Sequence, residues 1–282
     1  MGIPFEKWQA LGNDYLIIEQ ERLPLELTPE RVRKLCAAHF GAHSDGLLVL
    51  SRSENERHAA RLRIFNPDGS EAELSGNGAR EAILYLRRRG WTDRDTFSIE
   101  TAAGEITPTI IDERTCTVGM GRARLRSPDF PAGGADGTGT LAVGGRELAF
   151  QHVNVGNPQC VIEVGDELER LDLQQLGPAI ERNELFPNRT NVAFVRIEPD
   201  GVVRARIFER GVGETLSSGT GACGAAVAAV LHGAQSPVTV RLDGGELEVE
   251  VDADLNVRLT GWAEPVFAAE FSREFVSSLE AE

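Results

Sequence analysis

The stretch Arg61-Leu62-Arg63-Ile64-Phe65-Asn66-Pro67-Asp68-Gly69-Ser70-Glu71-Ala72-Glu73-Leu74-Ser75-Gly76-Asn77-Gly78-Ala79-Arg80 has a second copy later in the chain. That copy is Arg204-Ala205-Arg206-Ile207-Phe208-Glu209-Arg210-Gly211-Val212-Gly213-Glu214-Thr215-Leu216-Ser217-Ser218-Gly219-Thr220-Gly221-Ala222-Cys223, and it aligns without a gap at an offset of 143 residues, from 63 to 206. Two further landmarks keep the same order. Upstream, Gly12-Asn13 and Gly156-Asn157 each precede an Ile-Glu pair, Ile18-Glu19 and Ile162-Glu163. Downstream, Gly104-Glu105 and Gly245-Glu246 each lead into alternating apolar and polar residues. Ordered landmarks near one offset indicate an internal duplication.

Around the repeat, period-two patterns predict short strands at 97–101, 238–242 and 247–251. Each half carries one helix after its Ser-Gly-x-Gly element, predicted over 79–89 and 222–232, with Gly90 and Gly233 as the residues that end them. The second helix is small or apolar nearly all round, as a helix enclosed by its own lobe is. Residues 128–145, rich in Gly, Pro and Ala, read as a surface loop. The expected fold is α+β: two pseudo-symmetric lobes from the duplication, each a mixed or antiparallel sheet around a central helix, with a cleft between them. The expected division is 1–119, with 268–282 returning to it, and 120–267.

The bulk numbers narrow the function. A chain of 282 residues accommodates two domains of ordinary size. A net charge of -15 disfavours nucleic acid as a partner, since phosphate binding needs a basic face. No apolar run is long enough to span a membrane, and the start of the sequence lacks a signal-peptide pattern, so no membrane partner and a cytoplasmic location are expected. Cys36, Cys116, Cys160 and Cys223 show no C-x-x-C spacing and read as buried small hydrophobes. Cys223, five residues beyond Ser218, is the thiol nearest the second Ser-Gly element.

Several weaker signals are set aside. Gly219, Gly221 and Gly224 formally match a dinucleotide fingerprint, but the strand pattern ending at Phe208 stands too far ahead of them. His39 and His43 share a helical spacing that Gly41 interrupts. The two lysines, Lys7 and Lys34, sit in no pocket-like context for a pyridoxal Schiff base. No cofactor and no metal are expected.

A Ser-Gly-x-Gly turn feeding a helix exposes backbone N–H groups that have no intrahelical partner. Glycines admit a close ligand and the helix dipole favours an anion, so a carboxylate or phosphate is the natural guest. Two such sites suit chemistry at a tetrahedral carbon, one side removing a proton while the other delivers one.

The two long segments quoted above resemble the two signatures of the diaminopimelate epimerase family. Leu11-Gly12-Asn13-Asp14-Tyr15, Asp45-Gly46-Leu47-Leu48, Gly156-Asn157-Pro158 and Asn191-Val192 resemble it in the expected order. The resemblance implies cofactor-free conversion of LL- to meso-diaminopimelate, in lysine and cell-wall precursor synthesis, by a homodimer. It implies catalytic cysteines at the positions of Ser75 and Ser218, where this chain has serine. It implies histidine at Gln159 and a glutamate, Glu209, that manage the thiol protons. Asn66 stands where the first copy would match Glu209. The resemblance also implies that Asn13, Asn66, Asn157 and Asn191 hold the two amino-acid ends of the substrate, and that Glu209 and Arg210 read its distal charges. The N–H groups of Gly76-Asn77 and Gly219-Thr220 would hold carboxylates.

The thiol-to-hydroxyl change matters because a thiol ionises near pH 8.5 and a serine hydroxyl is a far weaker acid that needs an adjacent base. Three readings stay open at this point: an epimerase working with serines, a silent relative that binds a small amino acid, and a racemase or lyase for another amino acid.

Overall fold

A computed structural model describes residues 2–280. The chain forms two compact units, one of residues 1–118 with 261–282 and one of residues 119–260.

Unit 1 contains β1 (Ile3–Ala10), β2 (Asn13–Glu19), α1 (Pro29–Cys36), β3 (Leu47–Ser51), β4 (His58–Phe65), β5 (Glu71–Ala72), α2 (Gly76–Arg88), β6 (Ser98–Thr101), β7 (Gly104–Ile106) and β8 (Thr109–Ile110). The chain leaves it within β9 (Thr115–Arg122). Unit 2 contains β10 (Thr138–Val143), β11 (Arg146–Asn154), β12 (Pro158–Glu163), α3 (Leu173–Glu181), β13 (Asn191–Ile197), β14 (Val203–Glu209), β15 (Gly213–Thr215), α4 (Gly219–Leu231), β16 (Val238–Leu242) and β17 (Gly245–Val251). The chain returns to unit 1 within β18 (Asn256–Trp262), followed by β19 (Glu264–Phe271) and α5 (Arg273–Glu280).

The return falls at Gly261 rather than at 268. The reason is β19, which pairs along β1 from Ile3↔Phe271 to Gln9↔Glu264 and so belongs wholly to the first unit.

The pairing pattern repeats the duplication. In unit 1, β1–β2 is antiparallel, β2–β3 parallel, β3–β4 antiparallel, β4–β6 parallel and β6–β7 antiparallel. In unit 2, β11–β12, β12–β13, β13–β14, β14–β16 and β16–β17 follow the same series of directions. β5 and β15 occupy matching places beside β4 and β14. The fold is α+β, as the repeat indicates.

Each sheet has a helix on either face. α2 packs on β1, β2 and β3, while Leu16, Ile18, Leu47 and Val49 turn the other way, toward Val32 of α1 and Val276 of α5. In unit 2, α4 packs across β11 to β14, β16 and β17, and Cys160, Ile162, Val192 and Phe194 face the opposite cluster with Leu173 and Ile180 of α3. Strands covered on both faces lose the alternating pattern, and β12 and β13 read as near-continuous apolar runs. Side chains still alternate in direction. Tyr15 and Gln159, each just ahead of a residue on the outer face, therefore point toward α2 and α4.

α2 and α4 start three residues earlier than the sequence suggests, at Gly76 and Gly219. Ser75 and Ser218 are their N-caps, extended in backbone and accepting from the N–H of Gly78 and Gly221. The glycines at these starts read as loop because propensity disfavours them in a helix, and the serine caps override that. At the other ends, Gly90 (φ 71°) and Gly233 (φ 101°) take the left-handed conformation that stops each helix.

The region 128–145 is not all loop. Residues 138–143 form β10, joined to β11 by a two-residue turn at Gly144 (φ 58°) and Gly145 (φ 75°). Phe130 and Leu141 are buried there. All four cysteines are buried, as expected of packing residues. Burial raises the Cys36 and Cys160 thiols and pushes Cys116 up to about 12. Among the described residues, no helix is long and apolar enough to cross a membrane.

Candidate functional site

Both half-sites gather at the first turn of a central helix. In unit 1, the Ser75 hydroxyl oxygen accepts from Gly78 N–H at 3.1 Å and from the Tyr15 hydroxyl at 3.2 Å. Asn77, the second residue of α2, donates from Nδ2 to Asn13 Oδ1 at 3.0 Å and accepts from Arg80 Nη2 at 2.7 Å. Asn13 in turn donates to Asp45 Oδ2 at 2.7 Å, which also takes the Asp14 N–H at 3.0 Å. Burial raises the Asp14 carboxyl, and its ion pair with Lys7 at 3.2 Å offsets part of that rise. Structure thus brings Asn13, Ser75, Gly76 and Asn77 together. Asn66 is engaged elsewhere: its amide closes the 66–70 turn, donating from Nδ2 to Ser70 Oγ at 2.9 Å.

In unit 2, Ser218 Oγ accepts from Gly221 N–H at 3.2 Å. The half-buried Glu209 carboxylate takes hydrogen bonds from the Thr215 hydroxyl at 3.0 Å and from the Ser218 hydroxyl. Burial raises the Glu209 carboxyl above the ordinary glutamate value, and the two hydroxyl donors offset part of the rise. Asn157 donates to Thr220 Oγ1 at 3.1 Å and accepts from Gln159 Nε2 at 2.7 Å. Asn157 to Thr220 is the repeat's counterpart of Asn13 to Asn77. Gln159 is fully buried, and its Oε1 has no hydrogen-bond partner among the described residues.

The loop after Glu209 is held from behind. Buried Asn191 accepts from Arg210 N–H at 2.8 Å, and buried Glu181 accepts from Gly211 N–H at 2.9 Å. Arg210 is exposed and spends one guanidinium nitrogen on the Asn188 carbonyl at 2.9 Å. Ser218, Glu209, Asn157, Gln159, Gly219 and Thr220 form one cluster, with Asn191 and Arg210 on its rim.

Sequence reasoning missed Tyr15, Thr215 and Glu181. Tyr15 had a signal, because it stands 144 residues before Gln159, the same offset as Asn13 to Asn157. Thr215 lies inside the second signature. Glu181 had none, being distant in sequence from the loop it holds.

Chemically, each helix start offers the amides of its first two residues to an anion. Beside each stands a hydroxyl. One is backed by a carboxylate, the other by a phenol.

The fold places the chain in a structural class that includes proteins of several names. A PhzF-family phenazine biosynthesis protein from Bacillus anthracis matches with a TM-score of 0.69 at 18% identity, over 96% of this chain and 99% of that one. A hydroxyproline epimerase from Agrobacterium vitis matches with a TM-score of 0.66 at 17% identity, over 96% and 93%. At such identities the likeness concerns the fold alone. Sequence goes further. The diaminopimelate epimerase family model matches residues 5–126 and 151–264. Diaminopimelate epimerases of Synechococcus sp. (strain JA-3-3Ab) and Laribacter hongkongensis (strain HLHK9) are 42% and 40% identical to the chain. These alignments cover 94% and 96% of this chain, and 97% and 100% of those proteins. The chain belongs to the diaminopimelate epimerase family, and is an enzyme of the isomerase class.

Proposed function

We propose that this chain epimerises LL-diaminopimelate to meso-diaminopimelate without a cofactor, using hydroxyls in place of thiols. The observation that carries the reading is the bond from Ser218 to the half-buried Glu209 carboxylate, at the N-terminus of α4. A serine hydroxyl needs an adjacent base, and Glu209 is that base. As Ser218 Oγ takes the α-proton, its own proton passes to Glu209. On the opposite face of the α-carbon, Ser75 delivers a proton.

The substrate carboxylate lies on the amides of Gly76-Asn77 or Gly219-Thr220, where the helix dipole stabilises the charge that grows beside the carbanion. Asn13 and Asn157, bonded to the second residue of each helix, hold those first turns and offer amides to the amino-acid ends of the substrate. Asn191 and Arg210 complete the recognition of those ends, while the Asn66 amide stays in its own turn. Gln159 carries no titratable group. Its place in the mechanism is to hold Asn157, not to move a proton.

Incubation with LL-diaminopimelate in D2O tests the reading, with α-deuterium and meso product followed together. Incorporation with inversion is the expected result. Tight binding without exchange would make the chain a silent relative. Neither binding nor exchange would point to another amino acid.

A further inference from the structure

The two serines are wired oppositely. Ser218 gives its hydroxyl proton to a carboxylate. Ser75 accepts from both Gly78 N–H and the Tyr15 hydroxyl, so both lone pairs are in use and its own proton remains to be given. Tyr15 is held for this contact. It is 5% exposed, and its ring lies between two glycines. A Cβ on Gly46 would come 2.5 Å from Tyr15 Cε1, and one on Gly78 would come 3.4 Å from Cε2. The space that admits the ring is therefore made by Gly46 and Gly78.

We infer that Tyr15 acts through Ser75 as the proton source of unit 1, so that in this direction one half-site is the acid and the other the base, each backed by a different group, rather than two equivalent groups. This rests on the epimerase reading above. The Ser75 Oγ–H bond breaks as the carbanion electron pair forms Cα–H. The Tyr15 O–H bond breaks in concert and restores the serine hydroxyl. Negative charge ends on the Tyr15 phenolate, a far better resting place than an alkoxide because phenol ionises near pH 10. Meanwhile Glu209 holds the proton that Ser218 passed on as it took the α-proton from the other face. One proton exchanged through water returns phenolate and carboxylic acid to their starting forms. The reverse reaction uses the second pair of forms directly.

The test compares wild type and Tyr15→Phe in D2O, starting separately from the LL and the meso epimer. From the epimer that loses its proton to Ser218, α-hydrogen exchange stays within about twofold while inversion falls at least about tenfold. From the other epimer, exchange and inversion fall together. Equal losses of exchange from both epimers, or no loss of inversion, would overturn the inference and leave the epimerase reading standing. A wild-type protein with neither exchange nor inversion would sink both. A second variant guards against a folding defect. The chain has two tyrosines. Labelling with 3-fluorotyrosine in a Tyr85→Phe background puts a more acidic phenol at position 15. The alkaline limb of inversion then moves to lower pH, and an unmoved limb would overturn the relay.

Discussion

Gln159 lies directly on Gly224: a Cβ at that glycine would come 2.8 Å from Gln159 Cγ and 2.9 Å from its Cβ. Those atoms are near the backbone of β12 and cannot swing aside as the end of a flexible chain could. Gly224→Ala is therefore expected to overpack the α4–β12 contact and cost about 1–3 kcal/mol. Adding Gln159→Ala should recover part of that loss. Thermal melts of the single and double variants measure the coupling. A Gly224→Ala protein as stable as wild type would mean that the two elements are not held at this distance.

Glu209 gives the pH dependence a direction. Burial raises its carboxyl above the usual glutamate value of 4.5, while the hydroxyls of Thr215 and Ser218 pull less strongly the other way. The basic form is the ionised one. Activity should therefore rise with pH along an acid limb displaced upward from the ordinary glutamate range. Glu209→Gln should lose that limb and lower the rate by about 100-fold or more. Thr215→Ala removes a donor to the carboxylate and should move the limb further up. A profile of kcat/KM against pH for the three proteins checks both statements.

The duplication and the two helix starts were legible because they depend on local chemistry that the chain states twice. Ser75 and Ser218, Asn13 and Asn157, and the terminating Gly90 and Gly233 all sit at repeat positions. The exact start of each helix was not, because glycine in the first turn reads as loop until the serine cap is recognised. β10 was hidden by its glycine-rich setting, although Gly144-Gly145 is a hairpin turn signal. Long-range support left no local trace. Glu181 at the end of α3 accepts from Gly211, thirty residues on, and nothing in either segment announces the pair.

Returning thiols to the two caps should speed the reaction. Ser75→Cys with Ser218→Cys replaces a hydroxyl by a group that ionises near pH 8.5, within reach of neutral pH. The double variant is expected to exceed wild type by about 100-fold or more in inversion of LL-diaminopimelate. The two single variants should fall between. Sulfur is a weaker acceptor than a hydroxyl oxygen, so the bonds from Gly78 and Gly221 weaken. Each change should then cost up to about 1 kcal/mol of stability. A double variant no faster than wild type would show that the scaffold no longer directs proton transfer at these positions.

Ser75→Ala tests the cap apart from chemistry. The variant loses the acceptor for Gly78 N–H in the first turn of α2, and about 1 kcal/mol of stability should go with it. It also leaves the Tyr15 hydroxyl without its 3.2 Å contact to the serine. Ser75→Thr keeps an Oγ acceptor and should restore most of the stability, while its extra methyl crowds the bound substrate. A urea melt and a rate measurement on both variants would separate cap from catalyst: stability should rank threonine above alanine, with inversion impaired in both.

Glu81 carries the clearest linkage between stability and pH. Its side chain is fully buried on α2, and burial lifts its carboxyl well above the ordinary 4.5, against the opposing pull of the Arg80 charge and the Tyr15 amide. In the folded protein it holds a proton that the unfolded chain releases. Between 4.5 and the raised folded value the native state binds more protons, so stability falls as pH rises through that window. Below 4.5 the contribution is present in full. Glu81→Gln fixes a neutral side chain of the same shape and removes this term. The variant's stability, measured by urea unfolding across the window, should therefore decline less with pH than that of wild type, and the gap between the two should widen toward the alkaline end. Parallel curves would mean that Arg80 keeps the carboxylate ionised in the fold and that Glu81 is one half of a buried ion pair.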